Sequence, residues 1–151
     1  MYSVDTSAVL DGWVRYYPPD VFGTVWTRLG ELAKAQKLFA IDEVIVELEK
    51  KDDGAWKWAK QQLGIVSIDA AVQVAVTEIL TNHSRLVDAR KNRSQCDPFV
   101  IALAKVKGYT VITGERETGR ADRPHIPDVC VAMNIKCINL LELVREQGWQ
   151  I

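Results

Sequence analysis

Short apolar runs that are typical of strands alternate along the chain with longer segments of helical pattern. This alternation restricts the fold more than any other feature. The clearest runs are Tyr2-Ser3-Val4, Leu38-Phe39-Ala40-Ile41 and Tyr109-Thr110-Val111-Ile112-Thr113, and weaker ones lie at 65–68 and 136–138. Between them, apolar residues recur at the spacing of one helix face. The pattern predicts an α/β fold, a three-layer α/β/α sandwich around a central parallel sheet.

Capping signals indicate where the helices begin. Ser7, Asp20 and Asp97 are each expected to cap the helix that follows, because short polar side chains satisfy the free N–H groups of a first turn. Pro98 suits the first position of its helix, since a proline has no N–H to leave unpaired. The pair Pro127-Asp128 predicts the start of a further short helix.

Length and charge exclude several classes of protein. The 151 residues carry 19 Lys and Arg against 20 Asp and Glu, a net charge of −1, so bulk attraction to nucleic acid is excluded. The longest apolar run, Phe99–Ala104, has six residues, whereas a membrane helix needs about twenty. No targeting segment is recognisable at the start. We therefore expect one domain over residues 1–151, with no membrane contact and a cytoplasmic location.

Acidic residues follow the predicted strands or begin the neighbouring helices. They are Asp5, Glu47, Asp97, Glu115 and Asp128. Binding sites of parallel sheets lie at the carboxyl ends of the strands, and converging carboxylates repel one another unless cations or protons lie between them. Oxygen ligands suit Mg²⁺ or Mn²⁺. The sequence thus predicts a site for one or two ions, of the kind that hydrolyses phosphodiesters.

Every one of these residues also has a purely structural explanation. Capping accounts for Asp97, and surface position accounts for Glu47 and Asp128. Two small hydroxyl residues, Ser7 and Thr113, could orient the carboxylates or could only cap a helix and end a strand. No single residue therefore identifies the site.

The order of four segments resembles the PIN-domain family, and the resemblance extends from about residue 2 to residue 148. The segments are Tyr2-Ser3-Val4-Asp5-Thr6-Ser7, Val46-Glu47-Leu48, Cys96-Asp97-Pro98-Phe99-Val100-Ile101-Ala102-Leu103-Ala104 and Val111-Ile112-Thr113-Gly114-Glu115. The resemblance implies a PIN-like α/β/α sandwich and a Mg²⁺- or Mn²⁺-dependent ribonuclease acting on single-stranded RNA. Many members are VapC-like toxins of bacterial toxin–antitoxin pairs, so it also implies an antitoxin partner.

The resemblance assigns the metal-binding roles to Asp5, Glu47 and Asp97. The fourth acid of the family is usually an aspartate two residues after a threonine, and this chain has Glu115 there. Asp128 could complete a second metal site. Its segment, Ile126-Pro127-Asp128-Val129-Cys130, resembles a PIN subgroup with the same short motif near the C terminus.

A basic stretch before Asp97 is the candidate guide for RNA phosphates. It consists of Arg85, Arg90, Lys91 and Arg93, and Arg116 follows Glu115 on the other side. A solvated helix end and loop would explain the same residues equally well.

Two other functions remain open at the level of sequence. The first is a non-catalytic module of PIN fold with a degraded metal site, acting through a protein partner, which the glutamate at 115 keeps in consideration. The second is a phosphoryl-transfer enzyme on a similar sheet. An aspartyl phosphatase would need a second aspartate where Ser7 stands, so this alternative fits less well. VapC-like relatives often pair, and a homodimer is a further expectation.

Overall fold

A parallel sheet forms the centre of the structure, a computed structural model that describes residues 1–87 and 95–151. Within these residues five strands pair in the order β3-β2-β1-β4-β5, and every pairing is parallel. The strands are β1 Tyr2–Val4, β2 Leu38–Ile41, β3 Gly64–Val66, β4 Thr110–Ile112 and β5 Cys137–Ile138. The predicted α/β fold with a central parallel sheet is confirmed.

The helices of the described residues cover both faces of this sheet. They are α1 Thr6–Asp11, α2 Pro19–Lys34, α3 Asp42–Lys51, α4 Asp53–Gln62, α5 Ala70–Asn82, α6 Asp97–Lys107, α7 Ile126–Ala132 and α8 Leu140–Glu146, with a π-helical segment at Gly12–Tyr16 and a 3₁₀ turn at Ser84–Leu86. None of the helices within these ranges is both long enough and apolar enough to span a membrane.

Alternate residues of β1 point to the two layers of helices. On one face, Ser3 Oγ donates to the carbonyl of Val100, 3.0 Å away in α6. Helix α6 packs on β1, β2 and β4 and is itself covered by α5. On the other face, Val4 and Ile112 lie against Trp26 of α2 and Leu140 of α8. The two faces bury apolar side chains on both sides of the sheet, as the unbroken apolar strands predict.

Three tryptophans form the centre of the second layer. The ring of Trp26 meets the rings of Trp13 and Trp58 edge to face, each with a centroid distance of 4.8 Å. Trp26 Nε1 also donates to the carbonyl of Tyr17 at 2.7 Å. The cluster therefore joins α2, α4 and the π-helical segment. Trp56 lies apart from it, with Lys60 Nζ 4.9 Å from its ring centroid.

Three predicted helix starts are wrong by a few residues. Asp5 caps α1 in place of Ser7, whose N–H donates to the Asp5 carboxylate. Helix α2 begins at Pro19 after Pro18 and ahead of Asp20, because proline is suited to the first helical position. Cys96 precedes α6, so Asp97 lies in the first turn and does not cap it.

The start of α7 also differs from the prediction. The helix begins at Ile126, and His125 is its N-terminal cap residue. The Asp128 carboxylate accepts from the His125 N–H, which closes a capping box around the first turn. Asp128 therefore lies inside the helix that it was expected to open.

Candidate functional site

The register of the sheet brings the end of β1 beside the end of β4. Val4 pairs with Ile112, and the N–H of Asp5 donates to the Ile112 carbonyl at 2.8 Å. Asp5 and Thr113 are therefore neighbours at the carboxyl edge of the sheet. The strand order reverses direction along the chain between β1 and β4, which is where α/β sheets form their binding crevices.

Hydroxyl groups hold the Asp5 carboxylate in one orientation. Both Ser7 Oγ and Thr113 Oγ1 donate to Asp5 Oδ2, the latter at 3.0 Å. Each hydroxyl in turn accepts a backbone N–H, Ser7 from Gly114 at 2.9 Å and Thr113 from Glu115 at 3.1 Å. These bonds fix which way each hydroxyl proton points. Within residues 1–87 and 95–151 every hydrogen bond to the carboxylate reaches Oδ2, so Oδ1 remains available to another ligand.

Asp5 is buried in an unfavourable electrostatic environment. Its side chain belongs to a residue that is only 2% exposed. Burial raises the pKa of Asp5 to about 7, the Ser7 and Thr113 hydrogen bonds oppose the increase, and the charges of Glu115 and Glu47 add to it. Neighbouring negative charges and loss of water both disfavour the carboxylate. A cation would reverse this effect.

Glu47 and Asp97 lie on two different helices, and the charges of both act on one neighbouring thiol. Glu47 is half-buried in α3, and Asp97 is 3% exposed in the first turn of α6. Burial raises the pKa of the Cys96 thiol, and the charges of Asp5, Glu47 and Asp97 raise it further. One thiol is thus within electrostatic range of three acids from three parts of the chain. The fold brings these predicted residues together.

Glu115 acts on Asp5 and has a second contact. Its charge acts on Asp5, which places it in the same acidic group. Its Oε2 accepts the N–H of Ile126, the first residue of α7, at 2.9 Å. The glutamate therefore connects the end of β4 to a helix start. An aspartate side chain is one methylene shorter than this glutamate.

Asp128, the fifth predicted ligand, binds the loop between β4 and α7. Its Oδ1 accepts from the Gly119 N–H at 2.9 Å, its Oδ2 accepts from the His125 N–H at 2.8 Å, and Thr118 donates to it through both its N–H and its hydroxyl. Burial raises the pKa of Asp128, but the backbone donors outweigh burial and lower the pKa overall. Both oxygens are engaged with protein groups, so the structure does not bring Asp128 into the Asp5 group as a free ligand.

We predict that Asp128→Ala affects stability far more than metal affinity. The change removes the Asp128 half of the capping box and the charge-assisted bonds to the loop, which together contribute about 2–3 kcal/mol. Chemical denaturation measures the loss in free energy of unfolding. Asp122→Ala is the matched control, because Asp122 is exposed in the same loop and pairs with exposed Arg120. Equal stability of both variants would show that the loop contacts of Asp128 do not matter.

The predicted basic residues are only partly described by the structure. Arg90, Lys91 and Arg93 lie outside the described residues. Arg85 is exposed in the 3₁₀ turn after α5, and Arg116 is exposed directly after Glu115. Arg116 lies beside the acidic group and lines a cleft.

This cleft, of about 340 Å³, opens beside Thr113 and was not recognised from the sequence. Ala8 and Leu140 contribute apolar surface, and Asp11 and Tyr16 contribute polar and aromatic groups. Asp11 follows Ser7 by four residues, so the sequence places both on one helix face. Nothing in the sequence indicates that this face meets the end of β4, because that contact is made only by folding.

The acidic group suits a divalent ion in its chemistry but is not a closed cage. Carboxylate oxygens are the ligands that Mg²⁺ and Mn²⁺ prefer, and the burial of Asp5 among other acids is relieved by positive charge. Among residues 1–87 and 95–151, no three acidic, histidine or cysteine side chains form a ready metal-binding cluster. Side-chain rotation would therefore have to accompany metal binding.

The raised pKa of Asp5 predicts an unusual pH dependence of stability without metal. The folded chain keeps the Asp5 proton up to about pH 7, whereas the unfolded chain releases it near the ordinary value of 3.8. The contribution to stability is therefore complete below the unfolded value and is lost as pH rises to about 7. Compared with Asp5→Asn, the wild type should lose about 2–3 kcal/mol between about pH 5 and pH 8 in EDTA. An equal change in the free energy of unfolding of both chains between the two pH values would contradict this assignment.

Comparison with known proteins supports the architecture. The family model described as "Domain of unknown function (DUF4411)" matches residues 2–151. No curated protein matches the chain. A chain of VapBC2 from Rickettsia felis, solved bound to a DNA fragment from its promoter, is similar with a TM-score of 0.58 and 16% identity, over 91% of this chain and 97% of that one.

Two further solved structures have the same fold. A chain of VapBC-1 from nontypeable Haemophilus influenzae gives a TM-score of 0.57 at 9% identity, covering 93% of this chain and 98% of that one. A chain of FitAcB from Neisseria gonorrhoeae gives 0.56 at 16% identity, covering 93% and 99%. At these identities the likeness establishes the fold, and it confirms the predicted PIN-like α/β/α sandwich.

Proposed function

The chain belongs to the DUF4411 family, and from its fold and its acidic site we propose that it is a Mg²⁺- or Mn²⁺-dependent endoribonuclease that cleaves single-stranded RNA. The observation that carries the proposal is the state of Asp5. This carboxylate is buried, held by two hydroxyls and surrounded by further acids, an arrangement that is unfavourable without a cation. Proteins retain such strain mainly where it serves chemistry.

Asp5, Glu47 and Asp97 would hold the ion, and Glu115 would complete a second position. When bound, the ion would bring the pKa of a coordinated water close to neutrality and stabilise negative charge on the phosphate. Asp5 presents Oδ1 while Ser7 and Thr113 hold Oδ2. The two hydroxyls would keep the carboxylate from rotating, with Oδ1 left for the ion. Asp97 is buried in the first turn of α6.

The proposed RNA substrate would pass the acidic group, and exposed arginines along its path would contact its phosphates. Arg116 lies directly beside Glu115, and Arg85 lies on the surface after α5. Lysine and arginine side chains position a nucleic acid by contacting phosphates and carry no sequence preference. The contribution of Arg90, Lys91 and Arg93 remains a prediction from the sequence. RNA as substrate implies action in the cytoplasm.

The proposed biological role is that of a toxin with a protein antitoxin. The resemblance of the motifs to VapC-like proteins supports this role, and so do the solved VapBC and FitAB assemblies of the same fold. An antitoxin would inhibit the chain by covering the acidic group. A homodimer belongs to the same proposal, because VapC-like relatives often pair.

One contact favours a second candidate function, a binding module that has lost its activity. Glu115 Oε2 accepts the N–H of Ile126, so the residue at the fourth acidic position is partly engaged in holding α7. No described residues form a ready metal cluster. A chain with this site could retain the fold and act only through a partner.

A titration with Mn²⁺ distinguishes the two functions. We expect binding of one or two ions with micromolar to submillimolar affinity, followed in calorimetry, and cleavage of single-stranded RNA that stops in EDTA. Glu47→Gln should weaken the binding at least tenfold, because it removes one charged ligand. Glu49→Gln is the matched control, since Glu49 is exposed on the same helix two residues away.

The titration has three adverse outcomes. Absence of binding at millimolar Mn²⁺ would favour the binding module. Binding that Glu49→Gln weakens as much as Glu47→Gln would place the ion outside the proposed site. Binding by the wild type that is unaccompanied by RNA cleavage would retain the metal site and remove the nuclease.

A further inference from the structure

The cleft beside Thr113 has the dimensions and lining of a site for a single nucleotide. Its volume is about 340 Å³, at the lower end of about 300–1,000 Å³ for sites that enclose small ligands. Ala8 and Leu140 supply an apolar floor. The cleft is too small for a folded RNA element and is open to the surface, as a site on an extended strand must be.

Tyr16 supplies an aromatic surface, and no ring of the described residues packs against it. It is 62% exposed, although it lines the cleft. Its neighbour Tyr17 packs its ring against Phe22, with centroids 5.6 Å apart. Exposed aromatic rings in nucleic-acid-binding proteins stack on unpaired bases, because every base has a π-face.

Asp11 supplies hydrogen-bond acceptors to the same cleft. In the part of the chain that the structure describes, no hydrogen bond or ion pair reaches its carboxylate. Asp11 Oδ2 lies only 2.8 Å from the point where a Cβ at residue 114 would stand. Gly114 therefore allows the carboxylate to lie close against the end of β4, on the cleft side of Thr113.

We propose that this cleft binds one guanine base of the RNA, adjacent to the phosphate at the acidic group, and this inference rests on the proposed nuclease function. An ionised aspartate has two acceptor oxygens and no donor. Guanine is the RNA base whose Watson–Crick edge presents two adjacent donors, the ring N1–H and the 2-amino group. Asp11 would accept both while Tyr16 stacks on the ring.

The position of the cleft favours RNA over a protein segment as its occupant. Thr113 forms one wall of the cleft and hydrogen-bonds to Asp5, so the cleft is continuous with the acidic group. An RNA strand that presents a phosphate at Asp5 must continue past Thr113. Arg116 is exposed at the rim, where the phosphate of the bound nucleotide would emerge.

Binding of labelled RNA in EDTA tests the inference without requiring cleavage. The probes are the hexanucleotides UUUGUU, UUUAUU and UUUUUU, and fluorescence anisotropy measures their affinity for the full chain. We expect UUUGUU to bind about tenfold more tightly than the other two, the size of one bidentate contact to a base. Asp11→Asn should abolish this preference without weakening UUUUUU.

Variants of Tyr16 test the stacking. Tyr16→Ala should weaken all three probes about tenfold, and Tyr16→Phe should bind like the wild type, because stacking requires the ring and not the hydroxyl. Val14→Ala is the control, since Val14 is 55% exposed two residues away and does not line the cleft. It should leave every affinity unchanged.

The results separate this inference from the nuclease proposal. Guanine preference that depends on Asp11 in EDTA supports the cleft, even if the wild type never cleaves RNA with Mn²⁺. Equal affinity for the three probes, or a Tyr16→Ala effect no larger than that of Val14→Ala, overturns the inference and leaves a protein segment as the better occupant. Guanine preference that survives Asp11→Asn overturns the role of Asp11.

Discussion

Asp5→Asn should reduce Mn²⁺-dependent cleavage of single-stranded RNA at least about 100-fold while leaving the chain folded. The amide keeps the volume and the helix cap of α1, because asparagine caps as well as aspartate. It removes the charge that the proposed ion requires at the centre of the site. Gel analysis of a labelled RNA with Mn²⁺ gives the rate, and thermal denaturation gives the stability of the same preparation.

The structure adds a signature that separates catalysis from stability for this substitution. The buried carboxylate is unfavourable when ionised, so the variant should be at least as stable as the metal-free wild type above pH 7. Asp20→Asn is the control, since Asp20 is exposed in the first turn of α2. Equal cleavage by wild type and Asp5→Asn in Mn²⁺ would disprove the assignment of the site.

Trp26→Ala should have the largest effect on stability, a loss of about 3–5 kcal/mol in the free energy of unfolding. Trp26 is 4% exposed and meets Trp13 and Trp58 at 4.8 Å, and its indole N–H bonds to Tyr17. The substitution leaves a cavity between α2, α4 and the sheet. At about 2–4 °C per kcal/mol for a chain of this size, the melting temperature should fall by roughly 10 °C.

Two variants make the test of the tryptophan cluster specific. Trp56→Ala removes a ring of the same size that lies outside the cluster, against Lys60. This substitution should lower the free energy of unfolding by no more than about 1 kcal/mol. Trp26→Phe retains an aromatic ring and loses the hydrogen bond to Tyr17. Its loss of stability should therefore be intermediate between those of Trp26→Ala and Trp56→Ala. The cluster would lose its assigned importance if Trp26→Ala and Trp56→Ala melted at the same temperature.

Three acids of the site could be predicted from the sequence, whereas the position of a further acid, Asp128, could not. Asp5 follows a strand, Glu47 lies in the helix after the next strand and Asp97 begins a helix, in a recognisable order, and the charges of all three act on Cys96. Asp128 follows a similar pattern in the sequence. Its carboxylate instead accepts the N–H groups of Thr118, Gly119 and His125, because the loop before α7 folds back onto it. Local sequence does not show where a loop will return.

The predicted helix starts were wrong for a related reason. Ser7 is a good capping residue by type, yet Asp5 caps α1 and Ser7 instead donates to the Asp5 carboxylate. Both residues are capable of capping, and only the neighbouring strand decides between them, since Thr113 and Gly114 bring partners for the Asp5 carboxylate and the Ser7 hydroxyl. A capping preference is a local free energy of about 1 kcal/mol, which one tertiary hydrogen bond can offset.

The sequence alone determined the alternation of strands and helices, the parallel sheet and the order of the acidic residues. These features depend on local apolar periodicity and on short motifs, which can be read without knowing what packs against what. Tertiary structure decided which hydroxyls hold Asp5, which acid supports a loop, and that Asp11 and Tyr16 line one cleft with Thr113. The contacts of Thr113 with Asp5 and of Gly114 with Ser7 join residues about a hundred positions apart, and the register between β1 and β4 brings them within reach. The Asp128 contacts are closer in sequence and depend on how the loop before α7 folds back.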